Sequence, residues 1–247
     1  AREIMRQLPN ETIYYFGDVK NCPYGDKTKE EIIRYTDRAV KFLIDKGVKM
    51  IVLACNTATA AALDYLQDKY DIPIIGVVQP GARRAIQATE NNKVLVLGTK
   101  FTANSKVYDI EIENINSDIL VFDKACPAFV PFIESEGNLD KEATKNILKD
   151  TLSNTSNLGI DTVVLGCTHY PILKKDIEEY YGNTIKVISS GREAAREVST
   201  VLGYAKLHQK KLNKKEHKFY ISEASENFNN IASKWLNKEI TAEVVKI

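Results

Sequence analysis

The chain has 247 residues, with 34 Lys and Arg against 33 Asp and Glu, a formal net charge of +1. That balance argues against the broad basic surface a nucleic-acid backbone requires. No apolar run approaches the roughly 18–20 residues of a membrane span, and Ala1-Arg2-Glu3-Ile4-Met5-Arg6 lacks the apolar core of a signal peptide. The apolar fraction of 44% is ample for a sizeable core. Four cysteines, Cys22, Cys55, Cys126 and Cys167, form no C-x-x-C pair, which favours reduced thiols in a cytoplasmic protein.

In chain order, Ala1–Leu8 reads as the end of a helix, broken by Pro9-Asn10, and Thr12–Phe16 as a strand. The first residue is not Met, so the chain is expected to follow a stretch that is missing. A turn-rich loop carries Cys22-Pro23-Tyr24-Gly25. Thr28–Lys46 has helical periodicity, Glu30 and Glu31 in its first turn, and Gly47 after its end. Val48–Ala54 is a buried parallel strand, followed by the Ala-rich helix Thr57–Tyr70, the strand Ile74–Val78 and the helix Gly81–Thr89. The alternation resumes with strand Val94–Leu97, helix Thr102–Asn114, strand Ile119–Phe122 and helix Asp140–Ser153, capped by Asp140. Then come strand Thr162–Leu165, helix Ile172–Tyr181, strand Ile185–Ile188 and helix Gly191–Leu207. Strands Lys218–Ile221 and Glu243–Ile247 flank a last helix, Glu226–Leu236. The basic run Lys206, Lys210, Lys211, Lys214, Lys215, Lys218 reads as a solvated linker or helix face.

Strands alternating with helices predict an α/β fold with mostly parallel sheets flanked by helices, and ligands at the carboxyl ends of the strands. An internal repeat divides it. Ile51-Val52-Leu53-Ala54-Cys55-Asn56-Thr57-Ala58 matches Val163-Val164-Leu165-Gly166-Cys167-Thr168-His169-Tyr170. Cys22-Pro23 matches Cys126-Pro127, and Gly81 matches Gly191, at offsets of 104, 112 and 110 residues for Cys22, Cys55 and Gly81. We read two pseudo-symmetric lobes with a cleft between them, the first formed by residues 1–91 plus 206–247 and the second by 92–205.

Each repeated cysteine is expected where a strand ends and a helix begins. A helix N-terminus carries roughly half a positive charge, which should lower a thiol pKa from its usual value near 8.5. Its free N–H groups can also hold a carboxylate, with Asn56 and Thr57 on one side and Thr168 and His169 on the other. Two such units face to face could remove a proton from a carbon and deliver one to its opposite side, as inversion of a stereocentre requires. Cys22 and Cys126, each followed by Pro, read as small buried hydrophobes. Cys167-Thr168-His169 lacks the further ligands of a zinc site, so no metal is expected. A Cys–His hydrolase would account for Cys167 and His169 but not for the duplicated Cys55. No glycine pattern of a nucleotide loop is present.

Leu53-Ala54-Cys55-Asn56-Thr57-Ala58, Gly166-Cys167-Thr168-His169-Tyr170-Pro171, Cys22-Pro23-Tyr24-Gly25 and Gly98-Thr99 resemble the signature segments of bacterial glutamate racemases, in the aspartate/glutamate racemase superfamily. The resemblance runs from about residue 4 to 245. It implies a racemase without a cofactor that interconverts L- and D-glutamate and supplies D-glutamate for peptidoglycan, and it implies a homodimer. It implies Cys55 and Cys167 as the two bases, His169 assisting Cys167 and Glu134 supporting His169. Tyr24, Gly25, Asn56, Thr57, Thr99, Thr102, Thr168 and His169 would line the substrate site. Two departures stand out. The family begins with a strand and an Asp-Ser-Gly loop not found here, and many members carry Asp where this chain has Ser189. The alternatives are a racemase of aspartate or another amino acid and a non-catalytic protein that binds an acidic metabolite.

Overall fold

The computed structural model describes residues 1–135, 140–210 and 216–247. The chain opens with α1 (Arg2–Gln7), β1 (Tyr14–Gly17) and α2 (Lys29–Asp45). Helix α2 starts on a reciprocal cap: Glu31 N donates to Thr28 Oγ1 at 3.2 Å and Thr28 N donates to Glu31 Oε2 at 3.0 Å. It ends before Gly47, whose φ of +77° is left-handed and costs glycine little. Ile32, Thr36 and Val40 are buried at four-residue spacing, one face of a helix, and Val40 packs on Ile51 and Leu53. Strand β2 (Ile51–Leu53), α3 (Asn56–Lys69) and β3 (Ile74–Gly76) form a parallel βαβ unit, with Ile51 opposite Ile74. A Cβ at Gly76 would lie 2.2 Å from Thr59 Cγ2, so α3 reaches the sheet only because a glycine is there. Helix α4 (Val78–Ala88) starts three residues before the predicted Gly81. Pro80, its third residue, sits in the first turn, where a backbone N–H would have no helical partner.

The next segment builds one parallel sheet from β4 (Lys93–Gly98), β5 (Leu120–Ala125), β6 (Thr162–Gly166) and β7 (Lys186–Ser189), in the order β5-β4-β6-β7. Side chains alternate across it. Val94, Val96, Val164 and Ile188 face α4 and the later helix around Tyr108 and Ile112, while Leu95, Leu97, Val163 and Leu165 face the opposite core. Each fully buried Leu there contributes about 1.5–3 kcal/mol.

The predicted helix Thr102–Asn114 is two helices, α5 (Lys100–Asn104) and α6 (Val107–Glu113), because Lys106 takes a left-handed φ of +57° between them. A helix that the sequence reading left out, α7 (Phe129–Ser135), follows Cys126. Its pattern is masked by Pro131, which again falls in a first turn. Helices α8 (Lys141–Leu152, capped by Asp140), α9 (Lys174–Tyr180) and α10 (Ser190–Tyr204) complete this part. Predicted helix Ile172–Tyr181 begins instead as a 3-10 turn over Tyr170–Leu173.

Strand β8 (Lys218–Ile221) and helix α11 (Glu226–Leu236) have their predicted bounds, while β9 is confined to Glu243–Val244. Strand β8 lies between β1 and β9, all parallel. The strands that share a lobe in the sequence division therefore form two sheets, β1-β8-β9 and β2-β3. Helix α2 spans both, with Phe42 against Phe16 and Tyr220 on one and Val40 on the other. Helix α4, N-terminal to the division at residue 92, packs its buried face on the four-stranded sheet. Lys211, Lys214 and Lys215 of the basic run lie outside the described residues. No helix among the described residues is long and apolar enough to cross a membrane.

Candidate active site

The carboxyl ends of β2, β4 and β6 bring the predicted residues together. Cys55 leaves β2 in an extended conformation and is the N-cap of α3, where Ala58 N donates to its Sγ at 3.5 Å. Burial pushes the Cys55 thiol up, against the bonds from Ala58 and Thr57, and the charge of Cys167 pushes it further. The expectation of a lowered Cys55 pKa is therefore corrected. The helix end acts in the predicted direction, but desolvation of the sulfur outweighs it.

Next to Cys55, Asn56 and Thr57 are almost wholly buried, 2% and 1% exposed. Thr57 Oγ1 lies 2.8 Å from Thr99 Oγ1 and 3.2 Å from Thr102 Oγ1, and the last two are 3.1 Å apart. The three hydroxyls close a ring between the start of α3 and the start of α5, where Thr99 is N-cap and accepts from Thr102 N. The loop with Tyr24 and Gly25 is pinned to this ring. Phe101 N donates to Gly25 O at 3.1 Å, and a Cβ on Gly25 would lie 3.0 Å from Thr99 Cβ. Tyr24 packs with Cys55 and Phe101 on Ile32, Ala58 and Ala61, and its hydroxyl donates to Asp18 Oδ2 at 2.7 Å.

Strand β6 delivers Cys167 beside β4 because Gly98 and Gly166 pair in register. A Cβ on Gly166 would stand 2.9 Å from Leu97 O, so only glycine allows that ladder to close there. Cys167 Sγ is 3.7 Å from His169 Nδ1, and His169 Nε2 is 3.0 Å from Glu134 Oε1 on α7. Burial disfavours charge on the His169 ring, but the bonds to Cys167 and Glu134 overcome it and hold its pKa up at about 9. The bond to His169 in turn holds the Glu134 carboxyl low. Trp235 of α11 meets the His169 ring edge-on at 6.3 Å, and Asn227 Nδ2 donates to Glu134 O at 3.4 Å.

Two further expectations need correction. No α-helix starts at Cys167: it is followed by a bend and the 3-10 turn, with His169 rather than the cysteine at the cap position. The second half of the site thus has no helix-end cradle like that of Cys55, and Thr168 is exposed rather than built into the threonine ring. Cys22 is exposed, not a buried hydrophobe. The peptide to Pro23 that follows it is cis. Cys126 is buried as predicted, with its Sγ donating to Lys124 O. Sequence reasoning missed Asp18, Tyr108, Asn227 and Trp235. Only the run Phe129, Val130, Phe132, Ile133, spaced for a helix face, offered a signal for α7. Among the described residues no group of three or more His, Cys, Asp or Glu could hold a metal ion.

Two thiols at the carboxyl ends of parallel strands in two sheets, one capping a helix and one paired to a His–Glu couple, on an α/β frame, fit an isomerase of the amino-acid racemase class. Residues 2–198 match the family model Asp/Glu/Hydantoin racemase, and the chain belongs to that family. Its whole length is 45% identical to a glutamate racemase of Staphylococcus epidermidis, covering 92% of that protein. It is 46% identical to one from Staphylococcus aureus, covering 93%. The fold superposes on glutamate racemase isoform RacE1 from Bacillus anthracis with a TM-score of 0.94 at 38% identity, covering 99% of this chain and 91% of that one. Francisella tularensis glutamate racemase in complex with D-glutamate gives 0.92 at 33% identity, with the same shares covered.

Proposed function

We propose that the protein interconverts L- and D-glutamate by proton transfer at Cα between Cys55 and Cys167. What supports this reading is a pair of thiols at the carboxyl ends of parallel strands, Cys55 capping α3 beside Asn56 and the threonine ring and Cys167 joined to the His169–Glu134 couple. One sulfur, as thiolate, takes the Cα proton and becomes a thiol. The other, as thiol, gives its proton to the opposite face and becomes the thiolate, so the products differ from the reactants only in configuration and in which sulfur carries the proton. Burial holds Cys55 in its neutral form, which suits it to donate. The His169 ring, charged below about pH 9, stands 3.7 Å from Cys167 Sγ and stabilises negative charge there. Glu134 keeps the ring charged and oriented.

Asn56 and the ring of Thr57, Thr99 and Thr102 supply donors for the substrate carboxylates, with Tyr24, Gly25 and Thr168 completing the lining. The cleft lies between lobes formed by residues 1–91 plus 206–247 and 92–205. The reaction uses no cofactor and takes place in the cytoplasm, where D-glutamate is consumed in peptidoglycan synthesis, and the working form is a homodimer. Polarimetry with L-glutamate, D-glutamate, L-aspartate and L-alanine, without added cofactor, tests the activity. Optical rotation should decay to zero with either glutamate enantiomer and persist with the others. Persistent rotation with both glutamates, or faster decay with aspartate, would overturn it. Sedimentation of the protein at micromolar concentration should give twice the 27.8 kDa chain mass.

A further inference from the structure

We infer that Tyr108 is a positioning residue of the substrate site: it fixes the Asn56 amide so that Nδ2 faces the substrate as a carboxylate donor. Tyr108 is wholly buried on α6, and its hydroxyl donates to Asn56 Oδ1 at 2.7 Å. Ser190, at the start of α10, lies next to the Tyr108 hydroxyl. The phenolic hydrogen goes to Asn56 Oδ1, and an amide turned over would set its NH2 against that hydrogen.

The other end of that amide is the informative one. Asn56 Nδ2 is buried and has no hydrogen-bond partner among the described residues. Buried amide hydrogens without a partner are rare and expensive, and a donor kept in that state beside Cys55 suits a site completed by an acceptor. Tyr108 keeps it there by occupying Oδ1. Gly81 preserves the arrangement: a Cβ on it would lie 3.0 Å from Tyr108 Oη and 3.2 Å from Ser190 Cβ. That explains the first glycine of the repeated pair Gly81 and Gly191, which the reaction itself does not use. The unit joins α3, α4, α6 and α10, so it ties the Cys55 side to helices on the four-stranded sheet.

This inference rests on the reading of Asn56 as a glutamate-binding group, and the test separates the two. The Kd for D-glutamate is measured by calorimetry, with racemisation kinetics, in the parent, Tyr108→Phe, Asn56→Ala and the double variant. Tyr108→Phe keeps the buried ring and removes one hydroxyl. It should weaken D-glutamate binding and raise KM for both enantiomers about tenfold, with kcat changed less than about threefold, because an amide that binds substrate and transition state alike acts on KM. In the Asn56→Ala background the same change should add less than about twofold.

A general packing defect would lower the amount of active enzyme without raising KM. Unchanged binding and KM in Tyr108→Phe, or an equal effect with and without Asn56, overturns the positioning role while leaving glutamate racemisation intact. A parent that neither binds nor racemises glutamate overturns both readings. Should Tyr108→Phe fail to fold, Gly81→Ala carries the test. Its methyl gains helix propensity but presses on the Tyr108 hydroxyl, so KM should rise several-fold, and an unchanged KM overturns the inference.

Discussion

The two cysteine stretches are near copies in sequence but unlike in structure. Both leave a parallel strand at its carboxyl end. Cys55 caps a 14-residue helix and is surrounded by neutral donors, Asn56 and the threonine ring. Cys167 caps no α-helix and is instead linked through His169 to Glu134. The difference teaches that a duplicated frame fixes where the two sulfurs stand, while their electrostatic partners come from outside the repeat. Glu134 is on α7, a helix the repeat does not place, and Trp235 on α11 flanks His169 from the last segment of the chain. Burial makes Cys55 reluctant to ionise, whereas a charged imidazole ring stands 3.7 Å from Cys167 Sγ, so the two sulfurs sit in unlike electrostatic surroundings.

The largest effects should come from removing either sulfur. Cys55→Ala and Cys167→Ala should each cut racemisation in both directions by roughly a thousandfold or more, the scale of a lost acid–base group, in a coupled assay for each enantiomer. Next, Glu134→Gln removes the carboxylate that helps hold His169 high. The ring should then lose its charge below about pH 9, so the alkaline limb of kcat/KM moves to lower pH, and kcat/KM at pH 8 falls about tenfold. An NMR titration of His169 should show the same downward shift.

The sign also sets a stability window. A raised His pKa stabilises the folded state fully below the usual 6.5, and the contribution is lost as pH rises through about 9. Thermal unfolding should show that loss in the parent and a smaller one in Glu134→Gln. On the Cys55 side, Thr99→Ala opens the hydroxyl ring and should raise KM for glutamate several-fold, with no displacement of the alkaline limb. Smallest, Thr28→Ala breaks the cap of α2, remote from both thiols. It should cost about 1 kcal/mol in denaturant unfolding and leave kcat unchanged.

Much of this was legible in the residues. The alternation of apolar runs with helical periodicity gives the α/β class. Strong local signals gave α2, with Thr28, Glu31 and Gly47, and α8 with Asp140, nearly to the residue. The matched motifs gave Cys55 and Cys167, and the resemblance gave His169, Glu134 and the threonines. Illegible were features that depend on distant packing. The desolvation of Cys55 comes from tertiary surroundings, so a helix-end argument alone has the wrong net sign. Tyr108 reads as one more core aromatic, because its partners Asn56 and Ser190 lie 52 and 82 residues away. Pro80 and Pro131 read as breakers until their first-turn positions are seen.

The central claim, that two thiols divide one proton transfer, is tested most directly by deuterium wash-in at Cα. Proton NMR would follow L- and D-glutamate separately in D₂O with Cys55→Ala and Cys167→Ala. Each variant keeps one base, so each should exchange the Cα hydrogen of one enantiomer without racemising it, and the two variants should choose opposite enantiomers. Exchange of the same enantiomer by both, or undiminished racemisation in either, would contradict the account.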